Sequence, residues 1–313
     1  SSGFAEVSEA GREAEQHLLE MVRASGMRMV GPNCMGILNT DPAAALNATF
    51  APMPPPRGHI GMYSQSGALG IAVLDYARER NLGVSTFVSG GNRADVSNND
   101  LLAYWADDPD TRAIVLYLES FGNPRTFARL APAVARSKPI IAVKAGRSVA
   151  GTRAALSHSA ALASSDIAVD AIFEQAGVIR TNTLEQMFDV VTLLSQQPVP
   201  QGKRVGVVTN AGGPGIMFAD GCEGYGLTVP KLEEYTLTEL RSFLSDRSGF
   251  SNPIDMTASS GAAHYERTIE LVGNDPNVDS VVVIYIPPMV TRPEDAAAAI
   301  ARAATKVPAH KPV

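Results

Sequence analysis

Short apolar runs alternate with helical patterns along most of this chain, and this alternation limits the folds that are open to it. From Gly58 onward, the first four runs cover residues 59–64, 83–89, 113–119 and 139–143. Each run is followed by a stretch whose apolar residues recur with helical spacing. Strands that are apolar along their whole length are typical of a parallel sheet with helices on both faces. The pattern therefore predicts an α/β fold, with a flavodoxin-like parallel sheet over 58–198.

The same pattern restarts after a proline-containing linker at 197–202. Apolar runs then cover 203–209 and 279–286, and helical patterns cover 264–272 and 293–304. The chain stops where a further strand is expected. We therefore predict a second flavodoxin-like parallel-sheet domain over 199–313, truncated by a strand.

The residues before Gly58 do not follow this alternation. Residues 1–40 contain one helical pattern, at 10–24, and one short strand pattern, at 27–31. One helix and one strand are too few to bury a core, so we interpret 1–40 as the C-terminal remnant of another, Rossmann-like domain. Residues 41–57 have no clean period and include a proline-rich run, which is typical of a linker.

Composition excludes several classes of function. The net charge is −6, which argues against a nucleic acid or an anionic membrane as partner. No apolar run is long enough to span a membrane, and the start of the chain lacks the pattern of a signal peptide. The two cysteines, Cys34 and Cys222, are far apart and suggest a reducing, cytoplasmic compartment.

Two strand-to-helix junctions are built from small residues and could bind an anion. A helix start offers unpaired N–H groups and the positive end of the helix dipole, and glycine lets the backbone approach the ligand. If both junctions act, they could share one phosphate. In the alternative interpretation the glycines serve packing and Ser66 only caps its helix. The candidate phosphate-binding residues are Ser64, Gln65, Ser66 and Gly67 at the first junction, and Ala211, Gly212, Gly213 and Gly215 at the second.

His158 lies in a stretch of glycine, alanine and serine over 145–166, directly after a predicted strand. An imidazole there could pass on a proton, bind a metal or attack phosphorus. Glu119 ends another predicted strand, where a carboxylate could hold one nitrogen of that imidazole. An incidental surface histidine and a solvated strand-end acid remain the alternatives. Asn92 and Asp95 follow a further strand end, where they bind ligand or build an Asx turn.

Other catalytic patterns are missing from the sequence. No two histidines lie one helical turn apart, and no Cys-x-x-Cys occurs, so no metal site is predicted. Neither a Gly-x-Ser-x-Gly elbow nor a Walker loop is present. A dehydrogenase is excluded because neither complete domain has a Gly-x-Gly-x-x-Gly turn with a downstream acid. Cys34, in a glycine-flanked turn, is the one thiol that looks reactive.

Seven motifs, taken in this order and spacing, resemble those of the NDP-forming acyl-CoA synthetases, over essentially the whole chain. That family includes ADP-forming acetyl-CoA synthetase and the α subunit of succinyl-CoA synthetase. The motifs are GPNCMG at 31–36, SQSGAL at 64–69, SGGNRAD at 89–95, YLE at 117–119, SHSAALA at 157–163, NAGGPG at 210–215 and NPIDM at 252–256.

The resemblance implies a role for each motif. His158 is similar to the histidine that is phosphorylated during turnover, and Glu119 to the glutamate that orients it. The two helix starts resemble the paired helices that bind the transferred phosphate. The loop carrying Asn33 and Cys34 resembles one that borders the thiol end of CoA. Three further residues, Asn92, Asn252 and Asp255, are expected to lie next to the substrate.

The implied reaction interconverts acyl-CoA, phosphate and ADP with carboxylate, CoA and ATP, through an acyl phosphate and a phosphohistidine. CoA, ATP or ADP, and phosphate are then substrates, and Mg²⁺ is expected at a nucleotide domain that this chain does not contain. The implied partners are an ATP-grasp domain or β subunit and an N-terminal CoA-binding domain, and a homo-oligomer is compatible with the sequence. Without these parts the chain is expected to be inactive.

The chain departs from the family at the histidine. Ser159 and Ala160 follow it where Thr-Gly is common, and Ser164 stands where a later glycine is common. Loss of glycine there would stiffen the loop. One alternative function stays open beside the ligase: the chain could be a ligand-sensing regulatory region of a fused protein acetyltransferase. An intact pair of His158 and Glu119 favours the ligase, because a sensor needs neither residue.

Overall fold

The computed structural model describes residues 2–148, 150–151, 166–288 and 292–313. Its contacts divide the chain into two units, Ser1–Gln196 and Gln197–Val313. Both units are built from alternating strands and helices, so the predicted α/β class is confirmed. Among the described helices, none combines the length and the apolar character that a membrane span needs.

The first unit contains one mixed sheet and the helices that cover it. Its strands are β1 (Gly36–Asn39), β2 (Leu46–Thr49), β3 (Arg57–Ser64), β4 (Val84–Ser89), β5 (Ala113–Leu118), β6 (Ile140–Lys144) and β7 (Ile179–Thr181). Its helices are α1 (Glu9–Ala24), α2 (Gly67–Glu79), α3 (Asn98–Asp107), α4 (Pro124–Ala135), α5 (Asp166–Ala176) and α6 (Leu184–Gln196).

The strand order in this sheet is β2-β1-β4-β3-β5-β6-β7. The last five strands of that order are parallel to one another, and the order β4-β3-β5-β6-β7 is that of a flavodoxin-like sheet. The strand order reverses between β3 and β5. In such sheets a ligand crevice forms outside the carboxyl ends of the strands at this reversal.

Two apolar clusters cover the faces of the sheet. On one face Trp105 of α3, Phe127 of α4 and Phe173 of α5 are fully buried. On the other face Leu74 of α2 and Phe188 of α6 pack against the strands. Burial on both faces explains why β5 and β6 are apolar along almost their whole length.

The range predicted as a linker, 41–57, contains a strand. β2 pairs antiparallel with β1, and β1 pairs antiparallel with β4, so both strands extend the sheet at its β4 edge. The four residues of β2 alternate only weakly between apolar and polar side chains, so the sequence alone does not indicate a strand. β2 forms because it pairs with its neighbour in the folded unit. The assignment of 1–40 as the remnant of a CoA-binding domain stays a prediction.

The strand predicted at 27–31 is wrong. This segment instead bonds to residues 94–96: the amides of Val96 and Ala94 donate to the carbonyls of Met29 and Gly31 at 3.0 Å each. The amide of Met29 donates to the carboxylate of Asp95 at 2.9 Å. The carboxylate of Asp95 thus binds this segment where a neighbouring strand was expected. The local sequence gives no indication of this contact.

The second unit contains a smaller parallel sheet of the order β10-β8-β9. Its strands are β8 (Val205–Thr209), β9 (Ile254–Asp255) and β10 (Ser280–Ile284). Its helices are α7 (Gly212–Gly224), α8 (Glu234–Arg241), α9 (Ala262–Asn274) and α10 (Pro293–Ala304). Buried residues such as Ile254 and Ile269 form its core. The predicted loop at 252–257 contains β9, and α8 was not predicted.

Candidate functional site

A cavity of about 560 Å³ opens at the carboxyl ends of β3, β4 and β5 in the first unit. It lies where the strand order reverses, which is the expected position of a ligand in this fold. Seven of the predicted site residues line it together, and they come from four separate stretches of the chain. These are Asn33, Cys34, Gln65, Ser66, Gly67, Asn92 and Glu119.

The junction of β3 and α2 presents backbone groups rather than hydroxyls. Ser66 is the N-cap of α2, and its Oγ accepts a hydrogen bond from the amide of Leu69 at 3.3 Å. Ser64 is buried, and its hydroxyl donates to the carbonyl of Ser66 at 2.7 Å. By helix geometry the amides of Gly67 and Ala68 have no partner within α2. An anion at this junction would therefore meet two N–H groups and the helix dipole.

Gln65 is buried and holds the loop after β5. Its Oε1 accepts hydrogen bonds from the amides of Glu119, at 2.7 Å, and Ser120, at 3.0 Å. This use of the side chain was not predicted, since Gln65 was assigned to phosphate. Glu119 lies directly after β5, is half-buried and lines the cavity.

His158 lies outside the described residues, as do Ser159, Ala160 and Ser164, so its pairing with Glu119 stays a prediction. Described residues on either side of this stretch are charged. Lys144 is buried at the end of β6, and burial, together with the charge of Arg180, lowers the pKa of its ammonium group. Asp166 pairs with Arg180 and Arg147. Burial alone would raise its pKa, but these two cations keep the pKa of that carboxyl below its ordinary value.

On the opposite side of the cavity, Asn33 and Asn92 bond to each other and to the N-terminal segment. Asn33 donates to the Oδ1 of Asn92 at 3.3 Å. The Nδ2 of Asn92 donates to Glu6 at 2.5 Å and to Glu15 at 2.7 Å. Burial acts to raise the pKa of Glu6, but hydrogen bonds from Asn92 and from backbone amides lower it on balance. Neither glutamate was predicted, because each is separated from Asn92 by more than 70 residues of sequence.

Asp95 has a structural role in this fold. Its carboxylate binds Arg28 at 2.8 Å, Arg23 at 3.1 Å and the amide of Met29 at 2.9 Å. The side chain is only 3% exposed. The hydrogen bond from Arg28 is the main reason why the pKa of Asp95 falls to about 2. Asp95 therefore anchors the segment before β1, and it does not line the cavity.

In the second unit, the junction of β8 and α7 also presents backbone amides. Ala211 is the N-cap of α7 and makes no side-chain capping bond. The amide of Ala211 itself donates to Thr209 Oγ1 at 3.0 Å. Gly215 is buried, and a Cβ at this position would lie 3.1 Å from Thr209 and 3.4 Å from Pro253. Gly212 and Gly213 begin the helix, with the positive end of its dipole beside them.

The predicted substrate-adjacent residue Asn252 is used within the fold. Its Oδ1 accepts from the amide of Val207 at 2.9 Å, and its Nδ2 donates to the carbonyls of Val205 and Pro230. These bonds occupy both amide hydrogens. Asp255 ends β9, accepts from the amide of Thr257 at 2.9 Å, and lies beside Gly212, since a Cβ there would be 3.0 Å from its Oδ2. Asp255 is therefore beside the start of α7, and its place next to a substrate stays a prediction.

The charged side chains that line the cavity are mostly acidic. Of the described residues that line it, three are carboxylates, Glu6, Glu15 and Glu119, and one is a cation, Arg93. Within the described ranges, no group of three or more His, Cys, Asp or Glu side chains is arranged to hold a metal ion. Both cysteines are free thiols, and Cys34 is half-buried in the cavity wall. The cavity wall thus combines the start of a helix with a strand-end carboxylate.

Comparison with known protein families gives two matches. Residues 57–194 match the succinyl-CoA ligase like flavodoxin domain. Residues 205–313 match the ligase-CoA domain.

Individual relatives match along most of the chain. The α subunit of acetate–CoA ligase (ADP-forming) II of Pyrococcus furiosus is 42% identical over 315 residues, which cover 100% of this chain and 68% of the relative. Acetate–CoA ligase (ADP-forming) I of Archaeoglobus fulgidus is 39% identical over 287 residues, or 92% of this chain and 41% of the relative.

A solved structure agrees with the fold. Acetyl-coenzyme A synthetase 1 of Ca. Korarchaeum cryptofilum, described as dinucleotide forming and in complex with phosphate and ADP, superposes with a TM-score of 0.92 at 38% identity. The match covers 98% of this chain and 66% of that one. The chain thus spans about two thirds of the first relative and of this structure, and less than half of the Archaeoglobus relative.

Proposed function

Because the chain belongs to the family of ADP-forming acetate–CoA ligases, we propose that it is the acyl- and phosphoryl-transferring part of such an enzyme. The reaction interconverts acyl-CoA, phosphate and ADP with carboxylate, CoA and ATP. The observation that supports this proposal best is the cavity of the first unit, which the start of α2 and Glu119 line together at the reversal of strand order.

In the proposed first step an oxygen of phosphate attacks the carbonyl carbon of the thioester. The C–S bond breaks, the thiolate leaves as CoA, and an acyl phosphate forms. The amides at the start of α2 suit this step, because they stabilise negative charge on phosphate oxygens without a cationic side chain. We assign the same task to the start of α7 in the second unit, with Asp255 beside it.

In the second proposed step a nitrogen of His158 attacks the phosphorus atom. The bond from phosphorus to the acyl oxygen breaks, the carboxylate leaves, and a phosphohistidine remains. Glu119 accepts a hydrogen bond from the N–H of the other imidazole nitrogen, so the attacking nitrogen is the unprotonated one. In the last step an oxygen of the terminal phosphate of ADP attacks the phosphorus atom, the bond from phosphorus to the nitrogen of His158 breaks, and ATP forms.

The other substrates and partners belong to the same proposal. The related Korarchaeum structure is a complex with phosphate and ADP. We propose that this chain uses both, together with CoA, and that Mg²⁺ accompanies the nucleotide. The nucleotide would be held by an ATP-grasp domain or β subunit, and CoA by an N-terminal CoA-binding domain with Asn33 and Cys34 at its thiol end. The free thiols of Cys34 and Cys222 fit a cytoplasmic location.

The alternative, a regulatory region fused to an acetyltransferase, has no support in the relatives described above, which are named as CoA ligases or synthetases. The cavity also retains Glu119, which a sensor would not need.

The proposal is tested by phosphorylation of the protein together with its ATP-grasp partner. With ATP and Mg²⁺, we expect an acid-labile phosphoprotein, which disappears when CoA and a carboxylate are added. The variant His158→Ala should gain no label. His17→Ala is the matched control, because His17 is exposed on α1. Label that persists in His158→Ala would contradict the proposal.

A further inference from the structure

Arg93 joins two loops that lie on opposite sides of β3. In the sheet β3 lies between β4 and β5, and Arg93 follows β4 whereas Ser120 follows β5. The Nη1 of Arg93 donates to the carbonyl of Ser120 at 2.8 Å, and its Nη2 donates to the hydroxyl of Ser120 at 2.7 Å. The side chain therefore crosses the carboxyl end of β3, at the crevice of the first unit.

The backbone that carries Arg93 is fixed by several bonds. Arg93 has a φ of 59°, in the left-handed region that non-glycine residues seldom adopt. Its amide donates to the carbonyl of Gly90 at 3.0 Å, and the amide of Gly90 donates to the carbonyl of Ser64 at 2.8 Å. The amide of Asn92 donates to the carbonyl of Pro32 at 2.9 Å. The guanidinium group is thus delivered to Ser120 from a turn that is held on both sides.

Gln65 holds the same loop from another side. Its Oε1 accepts from the amides of residues 119 and 120, and its Nε2 donates to the Ser120 hydroxyl at 3.4 Å. Arg93 binds the carbonyl and the hydroxyl of Ser120. The peptide groups on both sides of Ser120 are therefore restrained, and so is the direction in which Glu119 leaves the backbone.

We propose that Arg93 is a positioning residue for Glu119. By fixing Ser120, it sets the direction of the Glu119 carboxylate toward the imidazole that this carboxylate orients. The inference rests on the proposed function, in which that imidazole belongs to His158. Arginine suits the task because its planar fork binds two acceptors at once, whereas a lysine ammonium acts as a compact point charge on a flexible stem.

The test measures the single-turnover rate of phosphohistidine formation in the protein with its ATP-grasp partner. We expect Arg93→Ala to lower this rate roughly 10- to 100-fold, because a displaced catalytic group loses alignment. The KM for the acyl substrate should change by less than about twofold, since Arg93 does not bind substrate in this role. Arg93→Lys should recover part of the rate. Arg57→Ala is the control, because Arg57 is exposed at the opposite end of β3 and pairs with Asp110.

A double-mutant cycle separates positioning from a structural role. If Arg93 acts through Glu119, Arg93→Ala should cause no further loss in a Glu119→Gln background. An equal loss in both backgrounds would overturn the inference, as would a change confined to KM. Ser120→Ala gives an independent test should Arg93→Ala fail to fold, because it removes the hydroxyl that accepts from Arg93 and keeps the carbonyl contact. The same change also removes the longer contact of that hydroxyl with Gln65 Nε2, at 3.4 Å. Its rate should fall less than that of Arg93→Ala, and an unchanged rate would count against the inference.

The phosphorylation of the unmodified protein distinguishes failure of the proposed function from failure of the inference about Arg93. If the unmodified protein gains no phosphate, the proposed function is overturned, and the inference with it. If it gains phosphate at the same rate as Arg93→Ala, only the inference is overturned.

Discussion

Asp95 shows how one side chain ties together distant parts of the first unit. Its carboxylate joins Arg23 and Arg28 before β1 to the loop after β4. From the sequence, Asp95 was interpreted only as a ligand-binding or turn residue, because Arg28 and Arg23 are 67 and 72 positions away. Glu6, Glu15 and Arg93 were missed for the same reason. By contrast, Glu119 and the start of α2 were predictable, since strand ends in a parallel sheet meet at one edge.

The ion pairs of Asp95 lead to a prediction about acid stability. We expect Asp95→Asn to lower the free energy of unfolding by about 1–2 kcal/mol at neutral pH, allowing for the exposure of both arginines. The pKa of Asp95 is depressed to about 2, so its contribution is present above the ordinary pKa and is lost as pH falls through the folded value.

Urea unfolding at neutral pH and at about pH 2.5 checks this prediction, because the difference between the two proteins should shrink at the lower pH. Asp75→Asn is the matched control, since Asp75 pairs with Arg78 on an exposed helix surface. A difference that is the same at both pH values would mean that charge is not the cause.

At the scale of elements, the contact between β3 and α3 depends on a glycine. A Cβ on Gly61 would lie 2.7 Å from the ring of Trp105, which is fully buried and donates to Thr86 at 2.6 Å. Four of the five parallel strands, β3 to β6, were predictable because burial on both faces makes them largely apolar. β7 was not predicted, because it has three residues, Ile-Arg-Thr, of which only the last is buried. β1 and β2 were not predicted either, because they depend on pairing, of β2 with β1 and of β1 with β4, rather than on a local signal.

We expect Gly61→Ala to destabilise the first unit by about 1–3 kcal/mol, through overpacking against Trp105. The measurement is urea unfolding followed by tryptophan fluorescence, which reports this unit because Trp105 is the single tryptophan of the chain. Gly221→Ala in α7, followed by circular dichroism because it belongs to the second unit, is the comparison. A Cβ there meets nothing within 4 Å, so helix propensity should make it neutral or stabilising. Equal fluorescence midpoints for Gly61→Ala and the unmodified protein would contradict the packing argument.

At the scale of the whole molecule, each of the two units has an apolar core of its own. The boundary between the units lies at residues 196 and 197, where the proline-containing stretch of the sequence interrupts the strand and helix pattern. The roles of the two helix starts remain proposals, since each belongs to a different unit and His158 lies outside the described residues.

Truncating one core should lower the stability of its own unit. Ile269 of α9 is fully buried, and we expect Ile269→Ala to destabilise the second unit by about 2–5 kcal/mol. At intermediate urea concentrations part of the helical circular dichroism should then be lost while Trp105 keeps its buried emission. Ile141→Ala, an equally buried position in β6, should instead shift the Trp105 signal. Coincident transitions in the Ile269→Ala variant would show that the units unfold as one.

The two outermost strands of the large sheet are short. β2 has four residues, three of them exposed, and β7 has three. A strand of a neighbouring copy could therefore form only a few backbone hydrogen bonds at either edge of the sheet. Recruitment by strand addition is thus disfavoured, and we expect higher-order assemblies of this protein to meet through helical or loop surfaces instead.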